Sequence, residues 1–321
     1  MERTESERRL DRIPGEYAGQ RLDKVLASMF PQYSRSALQQ WLKQGRVLVD
    51  DDIPAQKDKV QGGESVELSV PGEPALEAAA EDIPLDLRHR DEHILVVNKP
   101  AGLVVHPGAG NPRGTLMNAL LHFDPAARAL PRAGIVHRLD KDTTGLMVIA
   151  RSEAVRLDLI EQLAARSMKR RYLALLIGDL ISGREVVDPI GRHPRNRRMM
   201  TVRTDGREAL TRIRVLERFG PVTLVRCDLG TGRTHQIRVH ASHIGFPVLG
   251  DPVYGGAGHV PAGLSGELRS RIQGFRRQAL HAESLTLKHP GTGNTRSFSA
   301  EPPEDLAALL DAIETELAHG R

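Results

Sequence analysis

The sequence predicts an α+β protein of two domains: a small helix–helix–strand unit over residues 19–70, and a larger domain over 84–321 with a mainly antiparallel mixed sheet. Three observations predict it. Apolar residues recur twice at helical spacing in the first sixty residues and then alternate with a period of two. Residues 71–83 (PGEPALEAAAEDI) carry Pro, Ala and Glu without an amphipathic period and read as a linker. Beyond them, six apolar or alternating runs of strand length are interspersed with helical patterns. A chain of 321 residues is long enough for two domains and a proper core.

Residues 1–18 contain no apolar run, so they are expected to be a flexible N-terminus without a signal peptide. In RLDKVLASMF, Leu22, Val25, Leu26, Met29 and Phe30 fall on one helical face, and Pro31 ends the helix. Ser34 or Ser36 is placed to cap a second helix, which turns Leu38, Trp41 and Leu42 inward and stops at Gly45. RVLVD and ESVELSV then read as strands. The polar side of this unit carries Arg21, Lys24, Arg35, Lys43 and Arg46. In the second domain HILVVNKP, TGLMVIA, RYLALLIG, LTRIRVL, VTLVRCDL and ESLTLKH are the strands. Helices are expected over 153–166 and 303–318, the latter with Leu306, Leu309, Leu310 and Ile313 on one face. Residues 255–266 (GGAGHVPAGLSG) read as a mobile surface loop.

Composition narrows the function. Cys227 is the single cysteine, which excludes disulfides and Cys-rich metal sites. No stretch reaches transmembrane length, so a soluble, cytoplasmic protein is expected. The net charge is +4, yet residues 166–240 hold 17 Lys and Arg against 7 Asp and Glu, leaving −6 for the rest. Charge gathered this way fits a phosphate-rich partner, or else a solvated basic face. With one Trp, four Tyr and six Phe there is little for a single-strand stacking platform. His106, His137, His235, His240 and His281 lack zinc spacing and are read as hydrogen-bonding scaffold; no metal or cofactor site is expected.

The segment GIVHRLDKDTTG (134–145) concentrates titratable groups between an apolar start and a glycine. Asp140 there can cap a helix, form a salt-bridge corner, or stand ready for chemistry. Arg233 reads as a strand arginine, Tyr172 as a core tyrosine and Ile237 as a core strand residue. Asp251 in GDPVYGG is placed to satisfy the backbone of a turn. The basic stretch GRHPRNRRMM (191–200) is suited to phosphate contacts.

Two resemblances bear on these alternatives. RLDKVL, SRSALQQWLKQGRVLVDD and the GES strand resemble the S4 RNA-binding domain over about fifty residues. That domain presents basic residues of two helices to structured RNA, which implies contacts by Arg21, Lys24, Arg35, Lys43 and Arg46. NKPAGLVVHPG, GIVHRLDKDTTGLMV, KRRYLAL, TGRTHQIRVH, GDPVYGG and QALHAESL, in that order from Val96 to Pro290, resemble the RluA-type pseudouridine synthases. The resemblance implies that Asp140 is the catalytic aspartate, paired with Arg233 in its ionised form. It implies Tyr172 against the target base, Ile237 under the uracil, and Arg138 in the space that a flipped uridine vacates. It further implies an aspartate nucleophile, no cofactor, and a monomer acting on 23S ribosomal RNA or the large-subunit precursor. Within that RNA it points to the helix 69 stem-loop, as a step in subunit maturation. Three other readings stay open: a sister enzyme with other sites on the same RNA, a non-catalytic S4-type assembly factor, and a glycoside hydrolase. The last would need a second carboxylate, and nothing marks Asp142 as an acid.

Overall fold

Residues 7–317 are described by the computed structural model, apart from 32, 34, 71–77, 109, 197–198, 256–259 and 263. The chain divides into two units, residues 1–77 and 78–321.

The first unit contains β1 (Glu7–Arg12), α1 (Leu22–Met29), α2 (Arg35–Lys43), β2 (Val47–Val49) and β3 (Ser65–Val70). β3 is the centre of an antiparallel sheet in the order β1-β3-β2. Leu22, Val25, Leu26, Leu38 and Leu42 from the helices pack on Val47, Val66 and Leu68 from the strands, all nearly solvent-free. Gly45 ends α2 with φ +66°, a left-handed conformation that costs a glycine little. The serines expected to cap α2 lie outside the description: Ser34 altogether, Ser36 in its side chain.

The N-terminus departs from expectation. Glu7–Arg12 is a strand paired with β3 over its whole length, and Ile13 behind it is buried in the core. ERRLDR has no alternation to betray a strand, because its pairing is made by the backbone. Charged side chains and an exposed Leu10 suit a sheet edge.

The second unit runs β4 (Leu87–Arg90), β5 (Ile94–Lys99), α3 (Leu116–Phe123), β6 (Thr144–Ala150), α4 (Glu153–Ala164), β7 (Lys169–Ile177), β8 (Arg184–Val186), β9 (Ile190–Arg192), β10 (Met200–Val202), β11 (Thr211–Arg218), β12 (Val222–Leu229), α5 (Gln236–His243), α6 (Gly266–Gly274), β13 (Leu280–Lys288), β14 (Thr295–Ser299) and α7 (Glu304–Leu317). Nine strands form one sheet, β4-β5-β6-β13-β7-β12-β11-β8, with β14 beside β13. Every pairing is antiparallel except β6 with β13. β9 and β10 form a separate hairpin that takes in the two ends of the expected basic stretch, of which 197–198 lie outside the described residues.

Three further readings change. The described end of the expected linker is tied down: Asn118 donates to the Ala79 carbonyl, and the Glu81 carboxylate accepts the Gly114 N–H. These contacts involve backbone and leave no sequence period. α6 begins inside the loop expected at 255–266, capped by Ser265; residues 256–259 and 263 of that loop are outside the description. Ile237, read as a core strand residue, lies on helix α5 (Gln236–His243). The Gln236 carbonyl oxygen accepts from the Arg233 N–H and the Thr231 hydroxyl, while its amide donates to the Leu210 carbonyl and the Thr211 hydroxyl.

Candidate active site

Asp140 lies in the irregular stretch between a distorted turn at Pro131–Gly134 and β6. Arg132 and Ala133 in that turn have φ of +54° and +53°, which is uncommon for residues with a Cβ. Gly145 closes the segment at φ +113°. A Cβ there would come within 2.4 Å of the Ala282 carbonyl, because β6 and β13 run side by side at this point. The terminal glycine of GIVHRLDKDTTG is therefore required by backbone approach.

Three side chains from other motifs, and His137 of its own, hold this stretch. Lys99 of NKP, 1% exposed, donates to the carbonyls of Pro100, Leu103 and Lys141. Burial pulls its pKa down to about 7, against Asp142 and Asp140, which favour the ammonium form. His137 accepts the Val148 N–H at 3.1 Å, and its burial next to the Arg170 charge holds its pKa at about 3. Gln278 donates to the Thr143 hydroxyl. His281 gives its Nε2–H to the Ala300 carbonyl, so its Nδ1 accepts the Thr144 hydroxyl. The scaffold expectation holds for these histidines and for His240, bonded to Thr211 and the Asp188 carbonyl.

The carboxylate of Asp140 is 17% exposed. Its Oδ2 accepts from Arg238 Nη1 at 2.9 Å. The same guanidinium donates through Nε and Nη2 to Asp251 Oδ2 and Oδ1, at 2.7 and 2.9 Å. Asp251 also takes the Val253 and Tyr254 N–H groups, as expected of a turn aspartate. Tyr254 lies under the Arg238 guanidinium, 5.0 Å from ring centroid to Cζ. Its hydroxyl oxygen accepts the Met200 N–H and is 2.7 Å from His235 Nδ1. His235 Nε2 lies 3.8 Å from Asp140 Oδ1. His235 itself has φ +58°, at the start of α5.

The expected Asp140–Arg233 pair is therefore corrected. Arg233 turns away and donates to the Glu208 carbonyl at 2.9 Å, while Arg238 pairs with Asp140. A strand reading of TGRTHQIRVH cannot choose between its two arginines; the tight turn into α5 brings only the second to Asp140. Ile237 is buried as expected, on a helix and not a strand. Tyr172 is also buried, and its hydroxyl pKa is raised, by burial first and by the Asp140 charge as a further cause. Arg138 is exposed, close enough to His106 and His235 to oppose their protonation. Sequence reasoning missed Arg238, His235, Tyr254 and Lys99. Their signal was faint: each stands in a quoted motif, but its partner is distant in the chain.

In the first unit the expected RNA contacts divide. Arg21 and Arg35 both bind Asp23, which is solvent-free, while keeping 42% and 48% of their side chains exposed. Lys24 and Lys43 are exposed and Arg46 half-buried. Among the described residues one group has the makings of a metal site: His89, Asp91 and His289. It does not fit one. His289 Nδ1 accepts the Gly291 and Thr292 N–H groups, so Nε2 carries the proton and donates to Asp91.

Comparison with known proteins adds two domain matches and several relatives. Residues 93–243 match the family described as RNA pseudouridylate synthase, and residues 20–66 match the S4 domain. The chain is 51% identical over 306 residues to ribosomal large subunit pseudouridine synthase D of Xanthomonas campestris, covering 95% of this chain and 92% of that protein. It is 48% identical to the protein of that name from Escherichia coli over 299 residues, 93% of this chain and 92% of that one. Human RNA pseudouridylate synthase domain containing 1 is similar in structure, with TM-score 0.54 and 29% identity, over 73% of this chain and 89% of that one.

Proposed function

Because the chain belongs to the RNA pseudouridylate synthase family, with an S4 domain ahead of the synthase domain, we propose that it isomerises uridines of large-subunit ribosomal RNA. The relatives' printed name supports the large ribosomal subunit as the target; its 23S RNA, within it the helix 69 stem-loop, is the site we assign, as a step in large-subunit maturation. The reaction breaks the N1–C1′ bond and joins C5 to C1′. C5 loses its proton and N1 gains one, so the product is an isomer of the substrate.

The observation that carries this reading is the Asp140 carboxylate. Arg238 engages Oδ2, a bridge to buried Asp251 locks Arg238, and Oδ1 lies on the side of the half-buried His235. Such a carboxylate is oriented by a cation and short of one partner, which suits a nucleophile. Whether it attacks C1′ or the uracil ring, one oxygen suffices. Tyr172 is assigned to the target base, Ile237 to the apolar floor beneath it, and Arg138 to the stack the base leaves, where a planar cation both stacks and donates. Opening that stack costs a few kcal/mol, offset by binding elsewhere on the RNA. The S4 residues Arg21, Lys24, Arg35, Lys43 and Arg46 are assigned to phosphates, which supply affinity but not chemistry.

The test compares wild type with Asp140→Ala and Asp140→Asn on a 23S fragment containing helix 69. RNA binding is expected to stay within about 3-fold, since phosphate contacts lie elsewhere, while pseudouridine is absent. Substantial product from either folded variant ends the nucleophile assignment. Loss of binding by folded Asp140→Ala would make the carboxylate structural.

A further inference from the structure

Arg170, in KRRYLAL, is the buried cation that the site just described leaves unused. It stands on β7 two residues before Tyr172, so the two side chains share one face of the strand. It is 8% exposed. Its Nε is wholly buried without a hydrogen-bond partner. Among the described residues no carboxylate forms an ion pair with it.

The neighbouring arginines differ. Arg171 pairs with Asp228 at 3.0 Å, Arg166 with Glu208 at 2.8 Å, and Arg238 with two aspartates. Arg170 has no such partner among the described residues. Its charge bears on Tyr172 and on His137, both of which flank the Asp140 stretch. A buried cation without a counter-ion is costly and usually paired. This one sits where a nucleic acid would bring negative charge.

Gly232 shows how it stays accessible. A Cβ at Gly232 would lie 2.7 Å from Arg170 Nη1, with no other group closer. Gly232 is exposed and has no positive φ, so glycine is not demanded there by the backbone. Its bare Cα leaves the guanidinium within reach of the surface of the loop that leads into α5.

We propose that Arg170 binds a phosphodiester group of the target strand, next to the nucleotide that enters the Asp140 site. A guanidinium offers two parallel donors to phosphate oxygens, and Nε is a third donor still to be satisfied. The proposal rests on the reading of this protein as an RNA-modifying enzyme.

The test uses the full chain and the variants Arg170→Met and Gly232→Ala. Arg170→Met keeps most of the stem volume and removes the charge. It is expected to melt at or above the wild-type temperature, as when an unpaired buried charge is replaced by an apolar group. Its affinity for the helix 69 RNA fragment is expected to fall about 10- to 100-fold, as for loss of a charged hydrogen bond. The plot of log K against log salt should be shallower by about 0.7–0.9, the contribution of one phosphate. Gly232→Ala should weaken binding in the same direction with the charge retained.

An unfolded or clearly destabilised Arg170→Met would reveal an internal partner and overturn the proposal. So would unchanged affinity, or a lower affinity with an unchanged salt slope, which would mean a contact to a neutral group. Inorganic phosphate separates this proposal from the functional reading: it should raise the melting temperature of wild type more than that of Arg170→Met. That difference without any pseudouridine formation would reject the RNA reading and keep the phosphate site. Equal protection would reject the site.

Discussion

Replacing Arg238 by methionine tests the arrangement around Asp140 most directly, with Arg233→Met as its counterpart. Arg238 is 4% exposed and bridges two carboxylates, one of them, Asp251, wholly buried. Without the guanidinium, Asp251 keeps two backbone N–H donors and loses two charged ones. Breaking a buried ion pair from one side costs about 3–5 kcal/mol, because the remaining charge stays desolvated. For a unit of this size that lowers the melting temperature by roughly 6–20 °C. Asp140 also loses the contact that orients Oδ2, so pseudouridine formation should fall by about 100-fold or more, on the scale of losing a charged hydrogen bond at the reacting group. Arg233 makes a single side-chain bond to a carbonyl at the surface, so Arg233→Met should stay within about 0.5 kcal/mol of wild type. Melting by circular dichroism and product yield on the same RNA decide the matter. Near wild-type activity in Arg238→Met, or a collapse of stability in Arg233→Met, would refute the pairing described above.

Two further outcomes follow from buried charges. The Asp23 carboxyl is lowered from 3.8 to about 2, by hydrogen bonds from Arg35, Gln39 and Arg21 that outweigh the opposing effect of its burial. A folded pKa below the unfolded one adds stability above about pH 4 that is lost as pH falls through 2, here about 2 kcal/mol. Trp41, the only tryptophan, packs at the edge of that unit's core and reports its urea unfolding; the advantage of wild type over Asp23→Asn should shrink between roughly pH 4 and pH 2, and a constant gap would contradict the linkage. Lys99→Met should cost about 3 kcal/mol and most of the activity, since it strips donors from three carbonyls, one of them in the residue after Asp140; unchanged melting and full yield would show that the stretch holds itself.

What was legible in the sequence shares one property: it is local or periodic. The amphipathic α1 and α2, the six apolar strands, α4, α7 and the turn at Asp251 all announce themselves through spacing or a single residue's chemistry. Asp140, Tyr172, Arg138 and Ile237 were singled out because an ordered set of short motifs surrounds them. What stayed hidden depends on backbone pairing or on partners far along the chain. β1 is made by its pairing with β3 and carries no alternation. α5 was missed at Ile237, read as a core strand residue, although Gln236 and the left-handed His235 start a helix. The choice of Arg238 over Arg233 is the clearest case. Two arginines five residues apart are equivalent as sequence, but the turn between them faces one to Glu208 and the other to Asp140, 98 residues away. Sequence determined which side chains are available for the chemistry; only the tertiary path decided which of them meet, because a charge is paired by whatever the fold brings within 3 Å of it.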